Sequence, residues 1–143
     1  MSVTLDANVL VYASNEADPV HGPARDLLRR LADGPGLVYF FWPTLMAYLR
    51  VVTHPAILPR PLTPREAAGN VEQLIGLPHA RVQGEADGFW ENYRSAGGER
   101  TRGNDVPEAH LAALMLQFGV GVIYTRDRGF RRFEGIEARD PFG

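Results

Sequence analysis

Short apolar runs alternate along the chain with longer segments whose apolar residues recur at helical spacing. Val3–Leu5, ended by Asp6, reads as a buried strand. A helix is expected over Asn8–Ala13 and another over Pro23–Ala32. In the second, Leu27, Leu28 and Leu31 share a face before Asp33-Gly34-Pro35-Gly36 stops it. The β-branched and aromatic run Leu37–Trp42 predicts a second strand. Pro43 opens a helix through Val52, which His54-Pro55 closes. Pro55–Pro64 carries four prolines and is read as a loop within one domain.

Thr63-Pro64-Arg65-Glu66 has the form of a capping box with proline in the first helical turn, and its helix should reach Ile75. His79–Gln83 is a weaker third strand, and Glu85–Ser95 a helix with Phe89, Trp90 and Tyr93 to one side. A polar, glycine-rich loop follows over Gly97–Gly103. Val106–Phe118 is apolar nearly all round, so that helix should lie deep in the fold. Val120–Tyr124 predicts a fourth strand, Arg128–Phe133 a turn or short helix, and Ile136–Arg139 a last short strand. Strands alternating with helices throughout predict an α/β fold of three layers, helices on both faces of a mostly parallel sheet of four to five strands. The 143 residues are about one domain's worth, taken as a single unit over 1–143.

Composition narrows the chemistry by subtraction. There is no cysteine, which removes disulfides, thiolate nucleophiles and thiolate zinc sites. All fifteen basic residues are arginine, so no lysine-based phosphate loop or Schiff base can exist. The only serines are Ser2, Ser14 and Ser95, and none sits in a G-x-S-x-G elbow. No apolar run approaches a membrane span, and no basic stretch followed by a long apolar core opens the chain; a cytoplasmic protein is expected. A net charge of −2 gives no global field for nucleic acid.

The acids are placed with more pattern than the rest. Open α/β sheets bind ligands at the carboxyl ends of their strands. Asp6 follows the first strand, Asp127 follows the fourth, and Asp105 with Glu108 opens the deep helix. Each also has a plain structural reading. Asp6 could cap the first helix, Asp105 and Glu108 could form a capping box, and Asp127 could pair with neighbouring arginines. Together, four carboxylates directed to one sheet edge suit a hard divalent cation such as Mg²⁺ or Mn²⁺. The four histidines offer no zinc spacing, and His110 reads as a hydrogen-bonded structural residue. Arg126, Arg128, Arg131 and Arg132 surround Asp127, while Arg100 and Arg102 precede Asp105. Such local positive patches could hold a phosphate backbone or simply be solvated charge.

These residues resemble the PIN-domain ribonucleases, specifically the VapC-type toxins of bacterial toxin–antitoxin modules. The likeness runs from Leu5-Asp6-Ala7-Asn8-Val9-Leu10 to Asp140-Pro141. It includes Phe41-Trp42-Pro43, Leu49-Arg50-Val51-Val52-Thr53-His54-Pro55, Gly103-Asn104, Glu108-Ala109-His110-Leu111-Ala112-Ala113-Leu114, and Thr125-Arg126-Asp127 with Phe130. The resemblance implies a PIN fold, a Mg²⁺- or Mn²⁺-dependent endoribonuclease, a VapB-type antitoxin partner and a homodimer. It assigns Asp6, Glu108 and Asp127 as metal ligands, with Asp105 as a possible fourth acid, and Asn104 and Thr125 as neighbours of the site. Arg126, Arg128 or Arg102 would hold RNA. Three positions depart from the family's pattern: Ala47 stands where it commonly has Glu, Glu108 where it usually has Asp, and Gly129 where an acid is frequent. A catalytically weakened RNA- or antitoxin-binding protein on the same fold is therefore the alternative. A phosphotransfer receiver is a third reading, disfavoured by the missing lysine.

Overall fold

The computed structural model describes residues 2–143. Five strands, β1 (Ser2–Leu5), β2 (Leu37–Phe41), β3 (Ala80–Gln83), β4 (Val122–Tyr124) and β5 (Glu137–Arg139), form one sheet in the order β3-β2-β1-β4-β5. Every pairing is parallel. The chain steps outward from β1 to β2 to β3, then returns to the other side of β1 for β4. That reversal makes the carboxyl ends of β1 and β4 the topological switch point, where an open α/β sheet leaves a crevice.

Strand alternation divides the core into two layers. Val3, Leu5, Val38, Phe40 and Val122 face one cluster, under the helices α1 (Ala7–Ser14), α2 (His21–Asp33), α3 (Trp42–Val52) and α4 (Pro64–Ile75). Phe41 and Ile123 face the other, under α5 (Phe89–Ser95) and α6 (Val106–Phe118). Ala109, Leu111, Ala112, Ala113, Leu114 and Met115 are all buried, which places α6 as deep as its all-round apolar sequence predicts. The Thr63–Glu66 capping box forms in both directions, fixing the start of α4 after the proline-rich loop.

Most differences from the expected boundaries are one or two residues. The exception is α5, which begins at Phe89 rather than Glu85. Gly88 takes the left-handed conformation at φ 84°, turning the chain just before the helix. Side chains of α6 take up the groups the missing turn would have used. The Gln117 amide accepts from the Ala86 N–H and donates to the Asp87 carbonyl, while Glu85 meets His110 Nε2. His110 also meets the Phe89 ring edge-on, a hydrogen-bonded structural role as its sequence position suggested.

Candidate active site

The β1–β4 ladder builds the centre of the site. Leu5 pairs with Tyr124, and the Asp6 N–H still donates to the Tyr124 carbonyl at 3.0 Å. One step further, Asp6 lies beside Thr125, whose hydroxyl donates to Asp6 Oδ2 at 2.8 Å. The same hydroxyl accepts from the Asp127 N–H at 2.9 Å. Thr125 is buried, so this single side chain fixes both acids against the sheet edge. Asp6 stands at the N-cap position of α1, where its side chain makes no cap hydrogen bond of ordinary geometry and its firm partner is the Thr125 hydroxyl.

Asp127 turns the chain into a short 3-10 segment, Arg128–Arg132, and its Oδ1 accepts from the Gly129 N–H at 2.8 Å. From the first turn of α6, the Glu108 carboxyl comes close enough to that of Asp127 for the two acids to influence each other's ionisation. Arg132 holds the opposite side of Glu108, donating from Nη1 to Oε2 at 2.6 Å and to the Gly129 carbonyl at 2.8 Å. Its guanidinium lies over the Phe133 ring, 4.4 Å from the centroid.

Electrostatics mark the same residues. Burial pushes the Asp6 carboxyl above its ordinary value, and the Asp127 charge adds to this; the Thr125 hydroxyl and the amides of Asn8 and Ala7 pull the other way. Burial also raises Glu108, as does the nearby Asp127 carboxyl, against the pull of Arg132. Asp127 is lowered, first by the nearby Glu108 carboxyl and then by the Gly129 amide. Glu108 and Asp127 therefore sit close enough that the charge of each bears on the other.

The sequence-assigned residues do not all converge. Asp6, Thr125, Asp127 and Glu108 form one connected chain of contacts. Asp105 is exposed and makes no side-chain cap bond, so the expected capping box with Glu108 does not form; only its carbonyl reaches Arg132, at 3.5 Å. Arg102 and Asn104 are exposed on the approach to α6, and among the described residues their side chains make no hydrogen bond to the cluster. Arg128 is exposed at the start of the 3-10 turn, free of any ion pair among the described residues. Ala47 is half-buried in α3 and brings no polar side-chain atom. Arg132, as the partner of Glu108, was not singled out by sequence; nothing in a 24-residue separation predicts that contact.

The donor set suits a hard divalent cation in chemistry: oxygen only, with carboxyls whose mutual repulsion a cation would relieve. Among the described residues, however, no three acidic or histidine side chains gather closely enough to form a ready metal cage. The acids form two linked pairs, Asp6 beside Asp127 and Asp127 against Glu108, with Arg132 supplying the fixed positive charge.

Gly129 decides whether Glu108 can sit where it does. A methyl group at 129 would lie 2.4 Å from Glu108 Oε2 and 2.9 Å from Oε1. The longer acid occupies the space that a side chain at 129 would need. Gly129→Ala is expected to leave the fold intact, because only flexible side-chain ends must move, yet slow the chemistry of the site about 10-fold by displacing Glu108. The double variant Gly129→Ala/Glu108→Asp, with a shorter acid, should recover part of the loss. Cleavage rates with parallel thermal melts check both.

A five-stranded parallel α/β/α sheet with acids at its switch point is the arrangement expected of a PIN domain, and solved structures of VapC toxins share this fold. The VapBC2 complex of Rickettsia felis bound to a promoter DNA fragment matches 97% of this chain and 98% of its own at a TM-score of 0.70 and 14% identity. VapC20 of Mycobacterium tuberculosis, described as a Sarcin-Ricin loop cleaving toxin, matches 94% of this chain and 98% of its own at 0.65 and 18%. At those identities the likeness establishes the fold. Sequence goes further: the chain is 52% identical over 143 residues to the ribonuclease VapC48 of Mycobacterium tuberculosis, covering 99% of both. It belongs to the VapC ribonuclease family. A scan against protein-family models matches none.

Proposed function

We propose that this chain is the toxin of a type II toxin–antitoxin pair, a metal-dependent endoribonuclease that hydrolyses RNA phosphodiesters. The observation that carries the reading is the switch-point cluster, in which Thr125 binds Asp6 and positions Asp127 in front of Glu108. Asp6, Asp127 and Glu108 would supply the oxygen donors for Mg²⁺ or Mn²⁺, closing around the ion from the more open arrangement described above. When bound, such an ion activates a water and polarises a phosphoryl oxygen. The protein's own part is placement: Thr125 keeps the Asp6 carboxylate at the sheet edge, and Arg132 restrains Glu108. The exposed arginines Arg128 and Arg102 would bind the RNA backbone, with Asn104 nearby on the approach loop. Unpaired RNA suits such a crevice, because splayed bases are more accessible than an A-form duplex.

The partner is a cognate VapB-type antitoxin, as in the toxin–antitoxin complex that shares the fold. A homodimer, which the family resemblance implies, is part of the same reading. No helix among the described residues is long and apolar enough to cross a membrane; the site of action proposed is the cytoplasm, where the RNA is.

The test is RNA cleavage by the purified, antitoxin-free chain in Mg²⁺, Mn²⁺ or chelator. Cutting in either metal and none in chelator is the expected result; equal cutting in chelator would sink the metal-dependent mechanism. The engagement of Glu108 by Arg132, together with the absence of a three-acid cage among the described residues, favours one alternative. In it the chain binds RNA or antitoxin with weakened catalysis, and RNA binding without cutting in any metal would establish that reading.

A further inference from the structure

Resting on the proposed RNA cleavage, we infer that Arg126, flanked by the rings of Tyr12 and Phe142, binds a phosphate of single-stranded RNA beside the acidic cluster. Arg126 lies between Thr125 and Asp127 in sequence, at the end of β4. Its guanidinium carbon is 5.8 Å from the centroid of each ring. Tyr12 comes from α1, the helix that starts after Asp6, and Phe142 from the segment beyond β5. The two rings meet edge to face at 5.9 Å, and the Phe142 N–H is tied to Asp140 Oδ1 at 2.9 Å. Three separate parts of the chain therefore meet around one side chain.

What the rings leave open points to the ligand. Arg29, Arg94, Arg132 and Arg139 are ion-paired with carboxylates, and the remaining arginines, Arg128 among them, have no ion pair among the described residues; Arg126 differs in having two rings against its guanidinium. Arg126 is exposed, and among the described residues its guanidinium has neither an ion pair nor a hydrogen bond. Aromatic neighbours attract the cation without using its N–H donors. Those donors form a planar fork that matches the oxygens of a phosphate. A row of acids next door repels an RNA backbone, so a restrained cation beside it lets the strand lie across the crevice. Tyr12 and Phe142 act through Arg126 as positioning residues, reducing the rotamers it must give up on binding.

The experiment is binding of a single-stranded RNA oligonucleotide across a salt series, in an Asp6→Asn background that keeps the strand uncut. Arg126→Gln should weaken binding and reduce the slope of log affinity against log salt by about 0.7, the release of one counterion from a single strand. Phe142→Ala should weaken binding by a smaller factor with the slope kept, since the charge remains, and Phe142→Trp should restore the affinity. In the otherwise unaltered protein, Phe142→Ala should raise KM and leave kcat alone; its melting temperature should fall somewhat, because the ring also packs on the core beneath α1. An Asp6→Asn parent that binds no RNA overturns the proposed function and this subsite with it. A parent that binds RNA, with affinity and slope untouched by Arg126→Gln, overturns the subsite alone.

Discussion

Asp6→Asn is expected to reduce RNA cleavage roughly 100-fold or more, the scale of losing one pre-organised electrostatic group at a reacting centre, while making the metal-free protein more stable. The activity loss follows from the position of Asp6 at the switch point, where it is the most buried of the acids there and bonded to Thr125. The gain in stability follows from the direction of its pKa. Burial, with the Asp127 charge behind it, raises the Asp6 carboxyl above its unfolded value. The folded state therefore holds this proton more tightly than the unfolded chain does. That contribution to stability is fully present below the unfolded pKa and is lost as pH rises through the folded one. Asparagine keeps an acceptor for the Thr125 hydroxyl and carries no charge to desolvate. In chelator, the melting temperature of the variant should match the parent's in acid and exceed it progressively as pH rises through the titration of Asp6. A variant that cuts RNA at the parent's rate would remove Asp6 from the site. One that melts lower than its parent at neutral pH would show that the carboxylate supports the fold.

Thr125→Val should be the next most damaging change, and it should harm stability and activity together. The substitution keeps shape but deletes a hydroxyl that donates to Asp6 at 2.8 Å and accepts from the Asp127 N–H at 2.9 Å. Thr125 is 3% exposed, so water cannot readily replace either bond. An unsatisfied buried polar group costs about 1–3 kcal/mol. Asp6, without its hydroxyl donor, should titrate still higher. Cleavage should fall about 10-fold as the two acids lose their common anchor. Thr125→Ser retains the hydroxyl and should recover most of the activity, with less of the stability because its methyl is gone. Urea melts and cleavage rates of the three proteins separate the two effects. Equal activity in the valine variant would show that the acids are placed without Thr125.

Much of this molecule was legible in its residues because the signals are local. A buried parallel strand announces itself as a short apolar run, and a helix by its spacing, so the order of elements could be read directly. The parallel arrangement followed, since each crossover is long enough for a helix. The prediction for α5 failed at its start because the competing partners are distant. Gln117 and His110, on another helix, take the polar groups of residues 85–87. Asp6, Glu108 and Asp127 could be singled out because acids directly after inner strands, or opening an apolar helix, sit at the carboxyl-end edge where this kind of sheet leaves a crevice. Asp105 shared that sequence logic, yet its side chain faces solvent with no bond to the others.

By itself, then, the sequence determined the layers, the direction of the sheet and which acids stand at its edge, because periodicity and strand ends are properties of neighbouring residues. Only the tertiary structure decided how those acids meet. Register across β1 and β4 set Asp6 against Thr125, and the crossing of α6 over the 3-10 turn set Glu108 between Asp127 and Arg132. The same crossing made Gly129 the space that a longer acid needs. Arg126 received its two rings from opposite ends of the chain. Contacts of that kind depend on close approach between segments far apart in sequence, and no pattern of neighbouring residues encodes which side chains will share the space.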